Sequence, residues 1–414
     1  MNIAWYSHYF IPEIGAPSAR IHDLSRVWLN LGHQVQTVTC LPNHPKGELY
    51  PGYNRCLYMH EKINGIAVHR HLTYITPNRG FLRKIIGHIS FLPAALFVSS
   101  RRLIRPDIVI GTSPTFFAAM AACIYGLKRR IPFIMEVRDL WPAIFVELGV
   151  LKNPLLIRLL ELIEIGLYKC AKRIVAVTES FRNYIVAKGI NPSKVVTIPN
   201  GADTEFWQPT PSSTDLRRRL GLENKFVVLY IGAHGISHAL GSILESAERL
   251  AKFRRIQFVF VGDGAEKEML MQKAGRMRLT NVLFRDPVGK HNVRDYYGLA
   301  DVCLVPLKNI PLFDTFIPSK MFEIMAMGRA IVGSIQGEAA DILKQSDGGI
   351  LVEPENSEAL AAAVLDLFNQ PLKIQNLGEN GRTFVCANYA RHALAKKYAQ
   401  ALADSVRDFK ASSS

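Results

Sequence analysis

Apolar residues in the first half of the chain form strand-length runs that alternate with longer segments of helical periodicity. This alternation is typical of a parallel sheet covered by helices. The predicted strands are Ile3–Ser7, Gln34–Thr39, Ile66–His71, Ile108–Gly111, Phe133–Glu136, Ile174–Val177 and Val195–Ile198. The predicted helices are Ser18–Leu31, Arg83–Arg102, Thr115–Gly126, Leu155–Cys170 and Thr178–Lys188.

The same alternation begins again in the second half, after a join rich in turn and linker residues at 199–213. The predicted strands are Phe226–Gly232, Gln257–Val261, Val282–Phe284, Val302–Val305, Ala330–Gly333 and Gly349–Val352. The predicted helices are Leu240–Lys252, Glu266–Arg276, Val293–Ala300, Lys320–Met327, Ala339–Lys344 and Glu358–Asn369.

Two periodic halves predict an α/β protein of two doubly wound, Rossmann-like domains that face each other across a cleft. We place the domains at residues 1–198 and 199–385, with a C-terminal helical segment at 386–414 that packs back on the first domain. Ligands of open α/β sheets bind outside the carboxyl ends of the strands. The expected binding site is therefore interdomain.

Length and composition support a globular protein with a large core in each half. The chain has 414 residues, of which 49% are hydrophobic and 21% charged, and this excludes a disordered or collagen-like protein. The formal net charge is +15. Residues 1–205 hold 24 basic and 13 acidic residues, so +11 of the excess lies in the first half, where we expect any anionic partner to bind.

The cysteines and the N-terminal residues indicate the cellular compartment in which we expect the protein. The six cysteines are scattered without a C-x-x-C motif, which indicates reduced thiols rather than a disulfide framework or a zinc ribbon. The N-terminus lacks the basic segment and long apolar run of a signal peptide. We therefore expect a cytoplasmic protein.

A first candidate for phosphate binding is the turn between the first strand and the first helix, residues 8–20. Gly15 and small residues lead into a helix whose free N–H groups attract anions, and Arg20 adds a formal charge. The alternative is an ordinary strand-to-helix loop with a serine cap.

A second candidate is the segment 318–332, in which Ser319 and Lys320 begin a helix and Glu323 follows one turn later. A lysine is unfavourable beside the positive end of a helix unless an anion lies between them, so a phosphate is expected there. Glu323 is suited to accept hydrogen bonds from ribose hydroxyls. A helix cap formed by Ser319 and Glu323 is the alternative, although their spacing is one residue longer than in a capping box.

With these motifs in order, the sequence resembles the family-four glycosyltransferases of the two-Rossmann-domain, GT-B type. The resemblance rests on Gly15, on 200–203 (Asn-Gly-Ala-Asp), on 261–264 (Val-Gly-Asp-Gly), on Ala300-Asp301 and on the helix from Glu323 to Gly328, and it covers nearly the whole chain. The segments 42–47, 137–142 and 318–323 further resemble bacterial transferases that add N-acetylated amino sugars to O-antigen and capsule.

The resemblance implies transfer of a sugar from a nucleotide diphosphate donor with retention of configuration and without a metal. The first domain would bind the acceptor and the second the nucleotide sugar. No D-x-D motif of the kind that chelates a diphosphate through a divalent ion is evident in the sequence, which agrees with the expected lack of a metal. Helix ends and basic side chains must then stabilise the leaving group.

The sequence departs from the family pattern around the donor. Thr315 occupies the place of the first of two glutamates, and the usual arginine and lysine after the first strand of the second domain are absent. His234 and Lys320 are the nearest substitutes. The resemblance also pairs the glycines at 262 and 264 with a base-binding loop around Arg285; ordinary turn glycines are the alternative.

Asp139 and Arg138 are the candidate catalytic residues in the first domain, where many relatives have a histidine in place of Arg138. An aspartate at the end of a parallel strand is well placed to orient an acceptor hydroxyl or to take its proton. Alternatively Asp139 pairs with Arg138 or caps the next helix. The resemblance also permits the donor phosphate itself to receive the proton.

Residues 83–102 combine an apolar helix with flanking arginines and lysine, but the apolar stretch is short for a membrane span and contains Pro93. Such a helix suits the interface of an anionic membrane, and a buried domain helix is the alternative. We expect peripheral docking on the inner face of the plasma membrane, where a polyprenyl-diphosphate-linked glycan acceptor is displayed. The sequence has no helix-turn-helix or aromatic-and-basic motif for nucleic acid.

The expected function is therefore a metal-independent, retaining transfer of a sugar from a UDP-sugar in surface-polysaccharide synthesis. Two alternatives remain open at this stage. A UDP-sugar 2-epimerase shares the architecture, and the departures at Thr315 and His234 permit a nucleotide-sugar-binding subunit that has lost catalysis.

Overall fold

The computed structural model describes residues 1–13, 15–44, 47–76, 81–113, 115–210 and 214–412, without the side chains of 81–85 and 100. The chain forms two compact units, Met1–Asn200 with Arg391–Ser414, and Gly201–Ala390. These boundaries lie two and five residues beyond the ones predicted at 198 and 385. The larger difference arises because a helix continues to Asn388 before the chain re-enters the first unit.

The first unit contains one eight-stranded sheet. Its strands are β1 (Asn2–Tyr6), β2 (Gln34–Cys40), β3 (Tyr58–Ile63), β4 (Ile66–His71), β5 (Ile108–Thr112), β6 (Phe133–Val137), β7 (Arg173–Ala176) and β8 (Val195–Thr197). Their spatial order is β3-β4-β2-β1-β5-β6-β7-β8. All neighbours are parallel except β3 and β4, which form an antiparallel pair at one edge.

The helices of the first unit cover this sheet. They are α1 (Ala16–Asn30), α2 (Phe81–Arg102), α3 (Phe116–Arg129), α4 (Ala143–Glu147), α5 (Pro154–Cys170), α6 (Glu179–Ala187) and, at the C-terminus of the chain, α15 (Arg391–Ala411). Trp28 on α1 donates a hydrogen bond from Nε1 to the carbonyl of Ala395 at 2.9 Å and packs edge-on against Tyr398. The C-terminal helix thereby completes the core of the first unit.

The second unit is a parallel six-stranded sheet with its own core. Its strands are β9 (Phe226–Ile231), β10 (Ile256–Val261), β11 (Val282–Arg285), β12 (Val302–Pro306), β13 (Ala330–Ser334) and β14 (Gly349–Val352), in the order β11-β10-β9-β12-β13-β14. Its helices are α7 (Thr214–Leu220), α8 (Leu240–Arg249), α9 (Lys267–Arg276), α10 (Lys290–Leu299), α11 (Ser319–Ala326), α12 (Gly337–Ser346), α13 (Ser357–Asn369) and α14 (Pro371–Asn388).

The predicted fold class of two Rossmann-like domains is confirmed, and every predicted strand is present within two residues at either end. The elements β3, α4, α7 and α14 were not predicted from the sequence. β3 is an edge strand whose residues alternate only weakly between apolar and polar, because one of its sides has no neighbouring strand. The predicted helix at residues 83–102 is present as α2, although the side chains of residues 81–85 and 100 lie outside the described part.

Candidate functional site

Each sheet has one place where the connections change direction, and such switch points are where open α/β sheets bind ligands. In the first unit it lies between β1 and β5, and in the second between β9 and β12. The predicted site residues Gly15, Arg20, Arg138 and Asp139 lie in the first unit. His234, Arg285, Ser319, Lys320 and Glu323 lie in the second.

A glycine cradle, formed by Gly232, Gly262 and Gly264, follows β9 and β10 in the second unit. A Cβ atom on Gly262 would lie 1.9 Å from the carbonyl oxygen of Gly232, and one on Gly264 would lie 2.4 Å from that of His234. Main-chain hydrogen bonds join the two loops, from Gly232 N to Val261 O and from His234 N to Asp263 O, each at 2.9 Å. Only glycine permits this close approach of backbones.

Lys320 reaches this cradle from the first turn of α11. Its Nζ atom is buried, lies 4.1 Å from the ring centroid of Tyr230 and has no hydrogen-bond partner in the described structure. A Cβ atom on Gly232 would lie 2.6 Å from that nitrogen. Burial lowers the pKa of the Lys320 ammonium to about 7, although Glu323 favours the charged form. A buried cation without a partner at a helix N-terminus indicates a place for an anion.

His234 lies beside this lysine and is completely buried. Neither ring nitrogen has a hydrogen-bond partner in the described structure. Burial lowers its pKa to about 4, and the charges of Lys267 and Lys320 act in the same direction. His234 is therefore neutral near pH 7: it can offer one N–H group to a ligand, but it does not replace the positive charge of a missing arginine.

Glu323 and Arg285, two further predicted donor-binding residues, both lie in the second unit. Glu323 lies one turn after Ser319, the first residue of α11, and its Oε2 atom is 3.5 Å from the hydroxyl of buried Tyr297. Arg285 ends β11, and its buried Nε atom has no hydrogen-bond partner in the described structure. Its carbonyl accepts a hydrogen bond from Gly262 N at 3.1 Å, which ties it to the glycine cradle.

In the first unit, Arg138 and Asp139 follow β6 and are held by a serine that the sequence analysis missed. The hydroxyl oxygen of Ser113, directly after β5, accepts hydrogen bonds from the amides of Arg138 at 2.8 Å and Asp139 at 3.2 Å. Ser113 could have been found from the sequence, because it is a polar residue directly after a strand that lies next to the switch point.

The guanidinium of Arg138 is buried, and its Nε and Nη1 atoms have no partner in the described structure. Burial lowers the pKa of Arg138 to about 10, so the group stays charged near pH 7. Asp139 is partly exposed, and burial of its carboxyl raises the pKa to about 6, against the opposing effect of Arg138. A buried cation therefore lies beside a carboxylate that can exchange a proton near neutral pH.

The structure gives Arg20 a different role from the predicted contact with phosphate. It is buried, and its Nε donates to Glu136 Oε1 at 3.0 Å while its two terminal nitrogens donate to the carbonyls of Ile198 and Pro199. Arg20 therefore stabilises the core of the first unit. Gly15 is the exposed residue before α1, and no side chain caps that helix.

Two further residues, in the loop after β1, were not singled out from the sequence. The buried carboxylate of Glu13 accepts hydrogen bonds from the amides of Asn43 at 2.8 Å and His44 at 2.9 Å. Burial raises its pKa to about 7. Tyr9 is close enough to Asp139 for their charges to interact, and burial raises its pKa. Glu13 thus joins the loop after β1 to the loop after β2.

Three further features concern metal ligands, the Thr315 side chain and membrane-spanning helices. Within the described part of the chain, no group of three or more His, Cys, Asp or Glu side chains is arranged to hold a metal ion. Thr315 donates its hydroxyl hydrogen bond to the Leu312 carbonyl at 2.6 Å. Among the described helices, none is long and apolar enough to cross a membrane.

Comparison with curated proteins finds bacterial relatives along most of the chain. A putative colanic acid biosynthesis glycosyl transferase, WcaI of Escherichia coli K12, is 24% identical over 374 residues, covering 88% of this chain and 91% of that protein. A probable glycosyltransferase, WbjE of Pseudomonas aeruginosa, is 27% identical over 307 residues, covering 71% and 74%.

Comparison with solved structures finds the same two-domain fold. Sucrose-phosphate synthase from Thermosynechococcus elongatus superposes with a TM-score of 0.76 at 18% identity, over 97% of this chain and 98% of that one. HepE of Anabaena, in complex with UDP-glucose, gives a TM-score of 0.72 at 15% identity, over 98% and 100%.

Two family models match the chain, one in each half. The model of the glycosyl transferase 4-like domain matches residues 15–201, and the model of glycosyl transferases group 1 matches residues 225–370. Together they span both Rossmann-like units, and the chain belongs to the family-four, group 1 glycosyltransferases.

Proposed function

We propose that this protein is a retaining glycosyltransferase that moves an N-acetylated amino sugar from a UDP-sugar to a lipid-linked glycan acceptor in bacterial surface-polysaccharide synthesis. The observation that carries the proposal is the unpartnered, buried Nζ atom of Lys320, which faces the glycine cradle at the start of α11. This arrangement suits a diphosphate, because the anion supplies the charge that the site lacks.

A nucleotide sugar as the donor is supported by a solved structure of the same fold and by the side chains of the second unit. The HepE structure of the same fold is described as a complex with UDP-glucose. In this proposal Glu323 accepts hydrogen bonds from ribose hydroxyls, and Arg285 with the loop after β11 contacts the base. Support for polysaccharide synthesis comes from the colanic acid assignment of WcaI. The amino sugar rests on the resemblance of the segments 42–47, 137–142 and 318–323.

The second unit would stabilise the departing UDP without a metal. As the bond from the sugar to the diphosphate breaks, negative charge grows on the phosphate oxygens. The Lys320 ammonium and the neutral His234 ring can donate hydrogen bonds to that charge. Groups that are already oriented in a water-poor site stabilise such a transition state most effectively.

The first unit would hold the acceptor through Arg138 and Asp139. The buried guanidinium of Arg138 is suited to an anionic or strongly polar group of the acceptor or of the transferred sugar. Asp139, with its pKa raised to about 6, is suited to orient the acceptor hydroxyl. In a retaining transfer on one face of the sugar, the departing phosphate then receives the hydroxyl proton.

Docking on an anionic membrane would bring the first unit to a lipid-linked acceptor. On α2, Ile86, Ile89 and Phe97 are 46–60% exposed while Phe91 and Ala95 are buried, so this helix is both a core element and an exposed apolar face.

A second exposed apolar face in the same unit supports membrane docking more strongly. On α5, Leu155, Leu159 and Leu162 recur at helical spacing and are 79%, 53% and 61% exposed, with Arg158 among them. An apolar helical face that carries a cation suits the boundary between headgroups and acyl chains.

The donor assignment is tested by a thermal-shift panel of UDP, GDP, ADP, TDP and several UDP-sugars. A ligand that binds only the folded state raises the melting temperature. We expect UDP and one UDP-sugar to stabilise the protein selectively. Failure of every nucleotide at millimolar concentration would overturn the donor site.

Membrane docking is tested by cosedimentation with vesicles of phosphatidylglycerol and of phosphatidylcholine. We expect binding to the anionic vesicles alone, and loss of binding when Leu155, Leu159 and Leu162 are all replaced by Glu. Leu372→Glu is the matched control, because Leu372 is 77% exposed on α14 of the second unit. Equal binding by the triple variant would remove α5 from the docking surface.

A further inference from the structure

Two cysteines of the first unit lie against each other at the junction of α3 and α5. The Sγ atoms of Cys123 and Cys170 are 2.8 Å apart, and both thiols are free. A disulfide bond is about 2.05 Å long, so a small movement would bring the two atoms to bonding distance. Cys123 is 5% exposed, whereas Cys170, the last residue of α5, is partly exposed.

Cys170 opens into a cavity of about 600 Å³ on the surface of the first unit. The lining of the cavity includes four basic residues, Arg130, Lys169, Lys172 and Lys194, and apolar residues such as Phe409. Among the described residues that line it, none is acidic. The nearby carboxylate of Asp408 is paired with Arg173 at 3.6 Å. The cavity is therefore suited to an anionic small molecule.

The surroundings also favour the thiolate form of Cys170. The Cys123 thiol donates a hydrogen bond to the Cys170 sulfur, and this lowers the pKa of Cys170 against the effect of burial. The positive charge of Lys194 acts in the same direction. The Lys194 ammonium is held at this position by a hydrogen bond of 2.6 Å to the Lys169 carbonyl. A thiolate beside cations is the reactive form of cysteine.

We propose that Cys170 and Cys123 form a thiol–disulfide exchange site that reacts with a small anionic disulfide bound in the cationic cavity. Cys170 is the attacking thiolate because it faces the cavity, and buried Cys123 is the resolving thiol. This inference is independent of the transferase function and concerns a different face of the molecule from Arg138 and Asp139.

The reaction proceeds in two exchange steps. The Cys170 thiolate attacks one sulfur of the small disulfide; the disulfide bond breaks, a mixed disulfide forms on Cys170, and the first small thiolate leaves. Cys123 then loses its proton to solvent and attacks the Cys170 sulfur. The protein disulfide forms and the second small thiolate leaves. The protein loses two electrons and two protons, and the small disulfide is reduced to two thiols.

The test uses the full chain and oxidised glutathione, an anionic disulfide. Samples are quenched by alkylation over time and mapped by peptide mass spectrometry. We expect a Cys123–Cys170 cross-link that forms about tenfold or more faster than glutathione adds to the partly exposed Cys56 or Cys386. Dithiothreitol should reverse the cross-link. Cross-linking no faster than modification of Cys56 and Cys386, or no cross-link, would overturn the proposal.

Variants separate the roles of the two thiols and of the cavity. Cys123→Ser should stop at the mixed disulfide on Cys170, and Cys170→Ser should leave Cys123 reduced. Lys194→Gln should slow the reaction with oxidised glutathione more than the reaction with cystamine, a cationic disulfide, because the loss of thiolate affects both reagents and the loss of anion binding affects only the first. Equal slowing with both reagents would refute selection of anions by the cavity. Circular dichroism checks folding of each variant, and the wild-type cross-link decides the proposal even if Cys123→Ser fails to fold.

Discussion

Replacing Lys320 with methionine should make the ligand-free protein more stable and its affinity for UDP much weaker. Methionine keeps the length and apolar contacts of the side chain but removes the buried ammonium. The fall in the pKa of Lys320 from 10.5 to about 7 sets a ceiling of about 5 kcal/mol on the cost of this charge at low pH. The contact of the Lys320 ammonium with the Tyr230 ring stabilises the wild type by about 1–2 kcal/mol, which offsets part of that cost. We expect a net gain of about 1–3 kcal/mol at pH 6.

The gain should depend on pH in a defined direction. Between about pH 7 and 10.5 the native state holds fewer protons at Lys320 than the unfolded state, so the free energy of unfolding of the wild type rises with pH relative to Lys320→Met. More than half of the advantage of the variant should be lost by pH 9. Urea denaturation at pH 6, 7.5 and 9 measures this difference.

Binding of UDP should show the reverse linkage. A bound diphosphate favours the charged ammonium, so the wild type should take up about one proton per UDP at pH 8, measured by titration calorimetry in buffers of different ionisation enthalpy. Lys320→Met should lose this uptake and about 10- to 100-fold in affinity, the value of a charge-assisted hydrogen bond. Lys344→Met, at an exposed site on α12, is the control. Unchanged affinity and proton uptake in Lys320→Met would refute the reasoning.

Four further changes test the remaining parts of the account. Gly262→Ala should cost about 2–4 kcal/mol of unfolding free energy and abolish UDP binding, because the added carbon would lie 1.9 Å from a carbonyl oxygen. The control is Gly275→Ala on α9, whose added carbon meets no atom within 4 Å. In urea titrations this control should be neutral or stabilising. Glu323→Gln should weaken UDP but not free pyrophosphate in calorimetry; equal loss for both would disprove a ribose contact. Arg138→Met should reduce transfer about 100-fold or more in a steady-state assay while UDP affinity stays unchanged, and full activity would remove Arg138 from the acceptor site. Arg20→Met should destabilise the protein by about 3 kcal/mol, the lower end for a broken buried ion pair, because the Glu136 carboxylate keeps a hydrogen bond from Thr112 and the nearby charge of Arg138. A selective loss of UDP affinity in a stable protein would restore the predicted role of Arg20 at the phosphate.

Alternation of apolar runs and periodic segments was sufficient to predict the parallel strands of both sheets, because parallel strands buried on both faces are uniformly apolar. The pattern failed where packing depends on residues other than large apolar ones. α14 carries Gly378, whose Cβ would lie 2.2 Å from the carbonyl of Gly328. Close backbone contact replaces apolar side chains there, so the periodicity of the helix is weak.

Residues of the candidate site could be predicted where one short segment of the sequence contains all the groups that interact. The conflict between Lys320 and the positive end of its own helix is visible in the sequence, and the structure adds that the ammonium is buried. The partner of Arg20 was not visible, because Glu136 is 116 residues away and only the β1–β5–β6 order of strands brings them together. The neutral state of His234 likewise depends on burial and on two lysines from other segments.

The most direct test of the central claim is a transfer assay that measures UDP release and glycosylated lipid together. Purified protein is incubated with each UDP-sugar and a polyprenyl-linked glycan fraction, with Lys320→Met in parallel. The account predicts that one UDP-sugar gives equal amounts of UDP and glycosylated lipid with the wild type and almost none with the variant. Conversion of a UDP-sugar without acceptor, no product from any UDP-sugar, or equal turnover by Lys320→Met would contradict it.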